Sequence, residues 1–191
     1  MNDSIRIPLV LLIVCLVSAL LLSLTYEVAK PKIDIQEKRI LNNKLIEVLD
    51  ANNFVKLSEE DPVLFAKMSP SVEEVYLAKQ SAKAETTGSI FLLSKPGYSG
   101  DIKFLVGISE GKVTAINIFT QTETPGLGTR IEEETFLSQF KDQPVNQDKY
   151  DTITGATISS STVIKTMVEN IKRLTENLNS QEKKELGIEN V

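Results

Sequence analysis

The chain has 191 residues, 41% of them hydrophobic and 25% charged, which is typical of one folded domain rather than a disordered chain. A net charge of −5 argues against nucleic acid as a partner, because phosphate binding requires a basic surface. There is no histidine, and the single cysteine, Cys15, cannot alone form an intrachain disulfide, a zinc site or an iron–sulfur site, so redox chemistry would need an organic cofactor.

The first predicted element is a membrane anchor. Residues 7–24 form an apolar run of eighteen residues without a charge, which is long enough to cross a bilayer as a helix. A cleaved signal peptide is the alternative, but the run exceeds a usual signal core and residues 26–30 form a poor cleavage site. We therefore predict a transmembrane anchor over residues 1–30.

The orientation of this anchor is ambiguous from its charges. Arg6 precedes the apolar run, whereas the basic residues that follow it closely are Lys30, Lys32, Lys38 and Arg39. By the positive-inside rule, this distribution favours a cytoplasmic domain, although long domains can cross membranes largely regardless of nearby charge.

Residues 31–71 are predicted to be a juxtamembrane helix and a connecting loop. The helical spacing of apolar residues over 33–49 predicts that the span continues, after a bend or break at Pro31, into a second helix. Residues 51–71 are largely polar and contain two X-Pro pairs, which predicts a loop with a short turn of helix.

A β region is predicted next, with strands over 72–78, 89–94, 102–108 and 113–119. The Pro-Gly-rich residues 96–100 form a turn, and 109–112 predict a hairpin. In the last strand, alternation places Ile116 and Ile118 on one face and Val113 on the other.

Helices are predicted to complete the domain. Residues 132–140 are expected to form a short helix, and 159–178 carry the clearest amphipathic pattern in the chain. The prediction is an α+β fold, in which one N-terminal transmembrane helix precedes a domain over 72–180 with antiparallel strands and helices packed on one face. Residues 181–191 are predicted to be a charged, frayed tail.

A hydroxyl-rich loop at the start of the last helix carries the candidate chemistry. Residues 151–157 read DTITGAT, and helix starts expose unpaired amides and the positive end of the helix dipole, which suit an anion. Thr157 could bond to a nucleotide phosphate, with Ser159, Ser160 and nearby amides solvating the charge. The alternative is that these hydroxyls merely cap the helix.

This loop resembles the flavinylation motif of the FMN-binding domain family. The resemblance implies covalent FMN on Thr157 through its phosphate, attached from FAD by a magnesium-dependent flavin transferase of the ApbE type. It also implies that Asp151 and Thr154 belong to the motif, with Asp151 serving recognition or attachment, and that Gly155 and Ala156 give the transferase access.

A second stretch resembles a loop of the same family that packs against the flavin. It consists of Glu123, Thr124, Pro125, Gly126, Leu127 and Gly128. A Pro-Gly turn is the simpler interpretation of this stretch alone. Two motifs in the right order, about thirty residues apart and followed by an amphipathic helix, make the resemblance specific. We predict neither a catalytic residue nor a metal site in this chain.

Residues 96–102, followed by a hairpin, resemble the G subunit of the Rnf complex more than the C subunit of the sodium-pumping NADH:quinone oxidoreductase. The resemblance implies an electron-carrier subunit of an ion-translocating ferredoxin:NAD oxidoreductase, partnered by other membrane subunits, with its flavin domain on the extracytoplasmic side of the cell membrane. The alternatives are the quinone-reductase C subunit, a stand-alone extracytoplasmic flavin module and a non-redox scaffold.

Overall fold

The structure is a computed structural model that describes residues 3–80 and 85–188 of the chain. It divides into two compact units, Met1–Asn42 and Asn43–Val191. The first unit consists of most of helix α1 (Asp3–Val48). Among the described residues, α1 is the one helix long and apolar enough to cross a membrane by length and composition.

Helix α1 runs through Pro31 without interruption, so the break that was predicted as one alternative is absent. A proline inside a helix removes one backbone hydrogen bond and strains the preceding turn. The residues after Pro31 include many strong helix formers, among them lysine, glutamate, glutamine, arginine and leucine. Their propensity offsets the loss of this bond, and the helix passes the predicted boundary at residue 30.

The second unit is built on a six-stranded antiparallel sheet whose strands follow one another in chain order. Its strands are β1 (Asn53–Lys56), β2 (Val72–Lys79), β3 (Thr86–Pro96), β4 (Asp101–Ser109), β5 (Lys112–Thr120) and β6 (Gln143–Pro144). The four longer strands match the predicted ones. Both predicted turns are also present, because Pro96 pairs with Asp101 and Ser109 pairs with Lys112.

The predicted connecting loop over 51–71 is wrong in part. It contains β1, which pairs with β2, and two short helices, α2 (Leu57–Glu60) and α3 (Pro62–Phe65). Leu57 and Leu64 are buried. A four-residue strand carries too few residues for its alternation to stand out from a polar neighbourhood.

Strand β5 contains a bulge that the simple alternation did not predict. Val106 of β4 pairs with Ile116, whereas Ile108 pairs with Val113, so β5 has one extra residue between these pairs. Because of this extra residue, Val113 lies in the same core as Ile116 and Ile118 rather than on the opposite face.

Both faces of the sheet are covered, although helices on one face only were predicted. On one face, Phe91 and Phe104 pack with residues of helix α5 (Thr157–Asn177), which confirms the predicted amphipathic helix. On the other face, the last turn of α1 lies against the sheet, where Thr114 Oγ1 donates to the Val48 carbonyl at 2.7 Å. Leu45 and Val48 are buried there.

The remaining helical segments are short. A 3₁₀ turn (Gly128–Glu132), helix α4 (Glu134–Leu137) and a second 3₁₀ turn (Ser138–Phe140) replace the single predicted helix over 132–140. They bury Ile131, Phe136 and Phe140.

The predicted frayed tail is wrong within the described residues. Helix α6 (Ser180–Glu185) begins with a capping box between Asn179 and Glu182. Leu186 and Ile188 are fully buried, and the Ser89 hydroxyl donates to the Leu186 carbonyl at 2.5 Å. Lys184 and Glu185 are exposed, whereas the apolar Leu186 and Ile188 complete the core.

Candidate functional site

A cleft of about 360 Å³ lies where three separate segments of the second unit meet. The segments are the β3–β4 turn, the loop after β5 and the start of α5. The residues that line the cleft are Tyr98, Glu123, Thr124, Leu127, Gly128, Gly155, Ala156, Thr157, Ile158 and Ser159. The structure therefore brings together eight of the twelve predicted site residues in one place.

A tight turn places Thr157 in the lining of this cleft. The Ala156 amide donates to the Ile153 carbonyl at 3.0 Å, and Gly155 has a φ of 86°. This is the pattern of a type II turn with Thr154 and Gly155 at its centre, where the second central position requires positive φ and favours glycine. Thr157 follows immediately as the first residue of α5.

The hydroxyl of Thr157 does not cap the helix. The N-cap residue is Ala156, which has no hydroxyl to offer. The exposed Thr157 side chain makes only a 3.5 Å contact to the Ile153 carbonyl. Within residues 3–80 and 85–188, the amides of Thr157, Ile158 and Ser159 donate to no acceptor. A free hydroxyl therefore lies beside three amides that an anion could accept.

The two serines that follow face inward. Ser159 Oγ donates to Glu123 Oε2 at 2.8 Å, and both atoms are buried. Ser160 Oγ donates to the Ala156 carbonyl at 2.8 Å and accepts from the Ile153 amide at 3.1 Å. Both hydroxyls already have hydrogen-bond partners within the protein, which leaves the backbone amides of the helix start as the unpaired donors near Thr157.

Glu123 lies in the wall of the cleft with only 5% of its surface exposed. Its Oε1 accepts from the Tyr98 amide at 2.8 Å and from the Ser99 amide at 3.1 Å. Together with the bond from Ser159, these contacts join all three segments of the site.

The loop after β5 contains a second turn of the same kind. The Leu127 amide donates to the Thr124 carbonyl at 3.2 Å, with Pro125 and Gly126 at the centre and a φ of 76° at Gly126. Pro125 and Gly126 do not line the cleft, but their turn directs Leu127 to its edge. Gly128 packs on Glu123, where a Cβ would lie 2.7 Å from the Glu123 Cβ.

Three large apolar side chains remain exposed around the cleft. Tyr98 is 69% exposed, Ile158 is 54% exposed and Leu127 is 51% exposed. Each comes from a different segment of the site. Exposed apolar groups that converge on a cleft are typical of a surface that covers a flat, largely apolar ligand.

Asp151 and Thr154 lie outside the cleft, in neighbouring grooves. The backbone of Asp151 is held by Gln139, whose Oε1 accepts from the Asp151 amide at 2.8 Å and whose Nε2 donates to its carbonyl at 3.2 Å. Arg130 Nη1 donates to the Thr154 carbonyl at 3.1 Å. Asp151, Thr152 and Thr154 are exposed, so this part of the motif is accessible from solvent.

The sequence analysis missed four residues that shape the site: Tyr98, Arg130, Gln139 and Ile158. An aromatic residue in a Pro-Gly turn is a local signal that could have identified Tyr98. Arg130 and Gln139 act on backbone 24 and 12 residues away, and no local pattern identifies such contacts.

Comparison with known proteins gives a family match over this part of the chain. Residues 97–172, which include every segment of the cleft, match the family described as FMN-binding domain. The chain is similar to the G subunit of the proton-translocating ferredoxin:NAD(+) oxidoreductase complex of Clostridium ljungdahlii, with 28% identity over 91% of this chain and 93% of that protein. It is also similar to the G subunit of the ion-translocating oxidoreductase complex of Aliivibrio fischeri, with 30% identity over 82% of this chain and 83% of that protein.

Among solved structures, the C subunit of the Na(+)-translocating NADH-quinone reductase from Parabacteroides distasonis aligns with a TM-score of 0.45 and 21% identity, over 56% of this chain and 64% of that chain. The family match defines a protein with an FMN-binding domain. The chain belongs to the family of G subunits of ion-translocating oxidoreductase complexes, as the sequence motifs predicted.

The residues present fit FMN. The free hydroxyl and the three unpaired amides at the start of α5 suit its phosphate, and the exposed apolar side chains suit its ring system. The space beside Gly155 is open, because a Cβ there would meet only Leu127, at 3.7 Å.

Proposed function

We propose that this chain is the electron-carrier subunit of an ion-translocating ferredoxin:NAD oxidoreductase (Rnf) complex and holds FMN through a phosphodiester on Thr157. The observation that carries the proposal is the free Thr157 hydroxyl beside three unpaired amides at the edge of the cleft. A phosphodiester retains one negative charge, which the first turn of a long helix stabilises through its amides and dipole.

The apolar side chains around the cleft support a position for the flavin ring. Tyr98, Leu127 and Ile158 can cover one part of the ring system, because all three are exposed and belong to the segments that line the cleft. Bound FMN supplies the electron-carrying group, while the protein supplies orientation and electrostatics. Since the chain has no histidine, we expect no independent substrate turnover from it.

Attachment requires a transferase of the ApbE type that uses FAD. Thr157 Oγ1 attacks the phosphorus on the riboflavin side of the FAD pyrophosphate. The bond between the two phosphates breaks, AMP leaves, and the hydroxyl proton is released. The exposure of Thr157 and of the Asp151 side chain supports access by such an enzyme.

The N-terminal helix supports a membrane location. We propose that α1 anchors the chain as a single-pass protein of the cell membrane and that its partners are the other membrane subunits of the complex. The flavin domain then lies on the extracytoplasmic side, where a covalent bond prevents loss of the cofactor. Holding the domain at the membrane raises its effective concentration near those partners.

Mass spectrometry of the full-length protein tests the attachment. We expect the wild-type chain, produced in detergent with the transferase and FAD, to gain the mass of one FMN phosphodiester on the peptide that contains Thr157. Thr157→Ala removes the nucleophile and should abolish this gain, whereas Thr157→Ser keeps a hydroxyl and should restore part of it.

Thr152→Ala is the matched control, since it removes a hydroxyl from an exposed residue of the same loop that is not one of the predicted site residues. It should leave the attachment on Thr157. The Thr157 side chain makes only one long contact, so Thr157→Ala should also melt at the wild-type temperature. A covalent flavin in Thr157→Ala, or none in the wild type, would contradict the proposal.

A further inference from the structure

We infer that Glu123 is a positioning residue for the flavin: its buried carboxylate joins the three segments of the cleft and places a negative charge in the cleft wall that lowers the reduction potential of the flavin. This inference rests on the proposed function, because it concerns the cofactor that Thr157 would hold. The family resemblance implied only that the loop containing Glu123 packs against the flavin.

The positioning part follows from the hydrogen bonds of the carboxylate. Oε1 accepts from the amides of Tyr98 and Ser99 in the β3–β4 turn, and Oε2 accepts from Ser159 in the first turn of α5. Tyr98 carries one exposed apolar side chain of the cleft, and Ser159 lies two residues after Thr157. The carboxylate therefore sets the spacing between an apolar surface and the attachment residue.

The space for this carboxylate is created by two glycines. A Cβ at Gly128 would lie 2.7 Å from the Cβ of Glu123, and a Cβ at Gly97 would collide with Glu123 Oε1. Each glycine belongs to one of the segments that Glu123 joins. The backbone thus packs closely around the side chain from two directions, which leaves little freedom for it to move.

The electrostatic part follows from the surroundings of the same group. All three polar contacts of the carboxylate are donors, which matches the acceptor-only capacity of an ionised carboxylate. Within residues 3–80 and 85–188, no lysine or arginine forms an ion pair with Glu123. Because the group is buried, water screens its charge poorly.

A negative charge in the cleft wall that has no basic partner opposes the addition of electrons to a nearby group. Reduction of a flavin either increases its negative charge or requires the uptake of a proton. A nearby carboxylate makes the gain of negative charge less favourable. Removal of the charge should therefore make reduction easier and shift the midpoint potential to a more positive value.

Three variants of the full-length protein separate the two effects. Glu123→Gln keeps an acceptor for the Tyr98 and Ser99 amides, and the Ser159 hydroxyl can rotate to accept from the new amide. Glu123→Ala leaves the amides of Tyr98 and Ser99 unpaired. Glu134→Gln is the control, because it removes an equal charge from an exposed residue that lies outside the cleft.

Each variant should be measured in detergent for the fraction that carries covalent flavin, for the midpoint potential of the loaded protein, and for the melting temperature of the unloaded protein. We expect Glu123→Gln to load faster than Glu123→Ala, because it keeps the hydrogen bonds that join the segments, and to have a more positive potential than the wild type. Glu123→Ala should load several-fold more slowly and melt at a lower temperature. Glu134→Gln should match the wild type in all three measurements.

An unchanged potential in Glu123→Gln would overturn the electrostatic part, and wild-type loading and melting in Glu123→Ala would overturn the positioning part. A wild-type chain without flavin would instead contradict the proposed function and, with it, the effect on the potential. The melting temperature of unloaded Glu123→Ala still tests the positioning part in that case.

Discussion

Gly155 determines how the candidate attachment residue is presented. The bond from the Ala156 amide to the Ile153 carbonyl closes a type II turn, and the φ of 86° at Gly155 is the value that this turn requires. The turn ends one residue before α5, so it positions the hydroxyl of Thr157 relative to the first amides of the helix.

We expect Gly155→Ala to destabilise the domain by about 1 kcal/mol or more, because positive φ is unfavourable for a residue with a Cβ. The substitution tests the backbone alone, since the nearest atom to a Cβ there, in Leu127, is 3.7 Å away. Gly155→Asn should cost less, because asparagine tolerates this conformation. Melting temperatures of the unloaded full-length variants in detergent provide the comparison.

Equal losses in the two variants would contradict this explanation of Gly155. The fraction of each variant that the transferase loads with flavin is a second measurement. Because the turn positions Thr157, we expect loading to fall in the same order as stability, with Gly155→Ala below Gly155→Asn.

At the scale of residues, the sequence predicted those features of the site that depend only on the conformation of a short stretch of backbone. The Pro-Gly turn after β5, and the position of Thr157 at a helix start, follow from short stretches of sequence. The inward direction of Ser159 and Ser160 does not, because their partners are fixed only when Glu123 and Ile153 meet the helix. The same holds for Gln139, whose two bonds to Asp151 bridge twelve residues.

At the scale of elements, alternation predicted the four long strands but not which faces they bury. A pattern of period two assigns residues to faces only while the register is regular, and the bulge in β5 moves Val113 to the side of Ile116. The covering of the second face depends on the last turn of α1, where Val48 is 66 residues away from its partner Thr114. Neither the bulge nor the covering of the second face can be predicted from a short stretch of the sequence.

Helix α6 offers a pH-dependent test of its packing. A hydrogen bond from Lys67 is the main cause that lowers the pKa of Glu182 below its ordinary value of 4.5, followed by the bond from the Asn179 amide. A lowered pKa in the folded state stabilises the fold above the ordinary pKa, and this contribution is lost as the pH falls through the lower folded value.

We expect Glu182→Gln to melt below the wild type at neutral pH and the difference to disappear as the pH falls well below 4.5. Glutamine preserves the capping box, so the variant removes the charge alone. Glu185→Gln, which removes an equal charge from an exposed residue of the same helix, is the control for the loss of one charge. A difference that persists undiminished at low pH would assign the effect to something other than the Lys67 pair.

At the scale of the whole molecule, the side of the membrane on which the flavin domain lies can be measured directly. Cys15 is the only cysteine, so a Cys15→Ser chain offers a background for single labels. We expect Lys149→Cys, at an exposed residue of the flavin domain, to react with a membrane-impermeant maleimide in intact spheroplasts.

Ser4→Cys, before the apolar run, is the matched control and should react only after detergent is added. The basic residues after the apolar run favour the opposite arrangement. Labelling of Ser4→Cys but not Lys149→Cys would therefore place the domain in the cytoplasm and contradict the proposed location.

The contacts of Glu123 also have a consequence for biogenesis. They join residues that are 25 and 36 positions apart in the chain, so the cleft exists only after the sheet and α5 have assembled. Contacts between residues so far apart in the chain form late in folding. Closing the long loop between them costs entropy before the new contacts stabilise the structure. A transferase that requires the assembled cleft would modify only molecules that have completed folding. Covalent flavin would then distinguish correctly folded chains from unfolded ones.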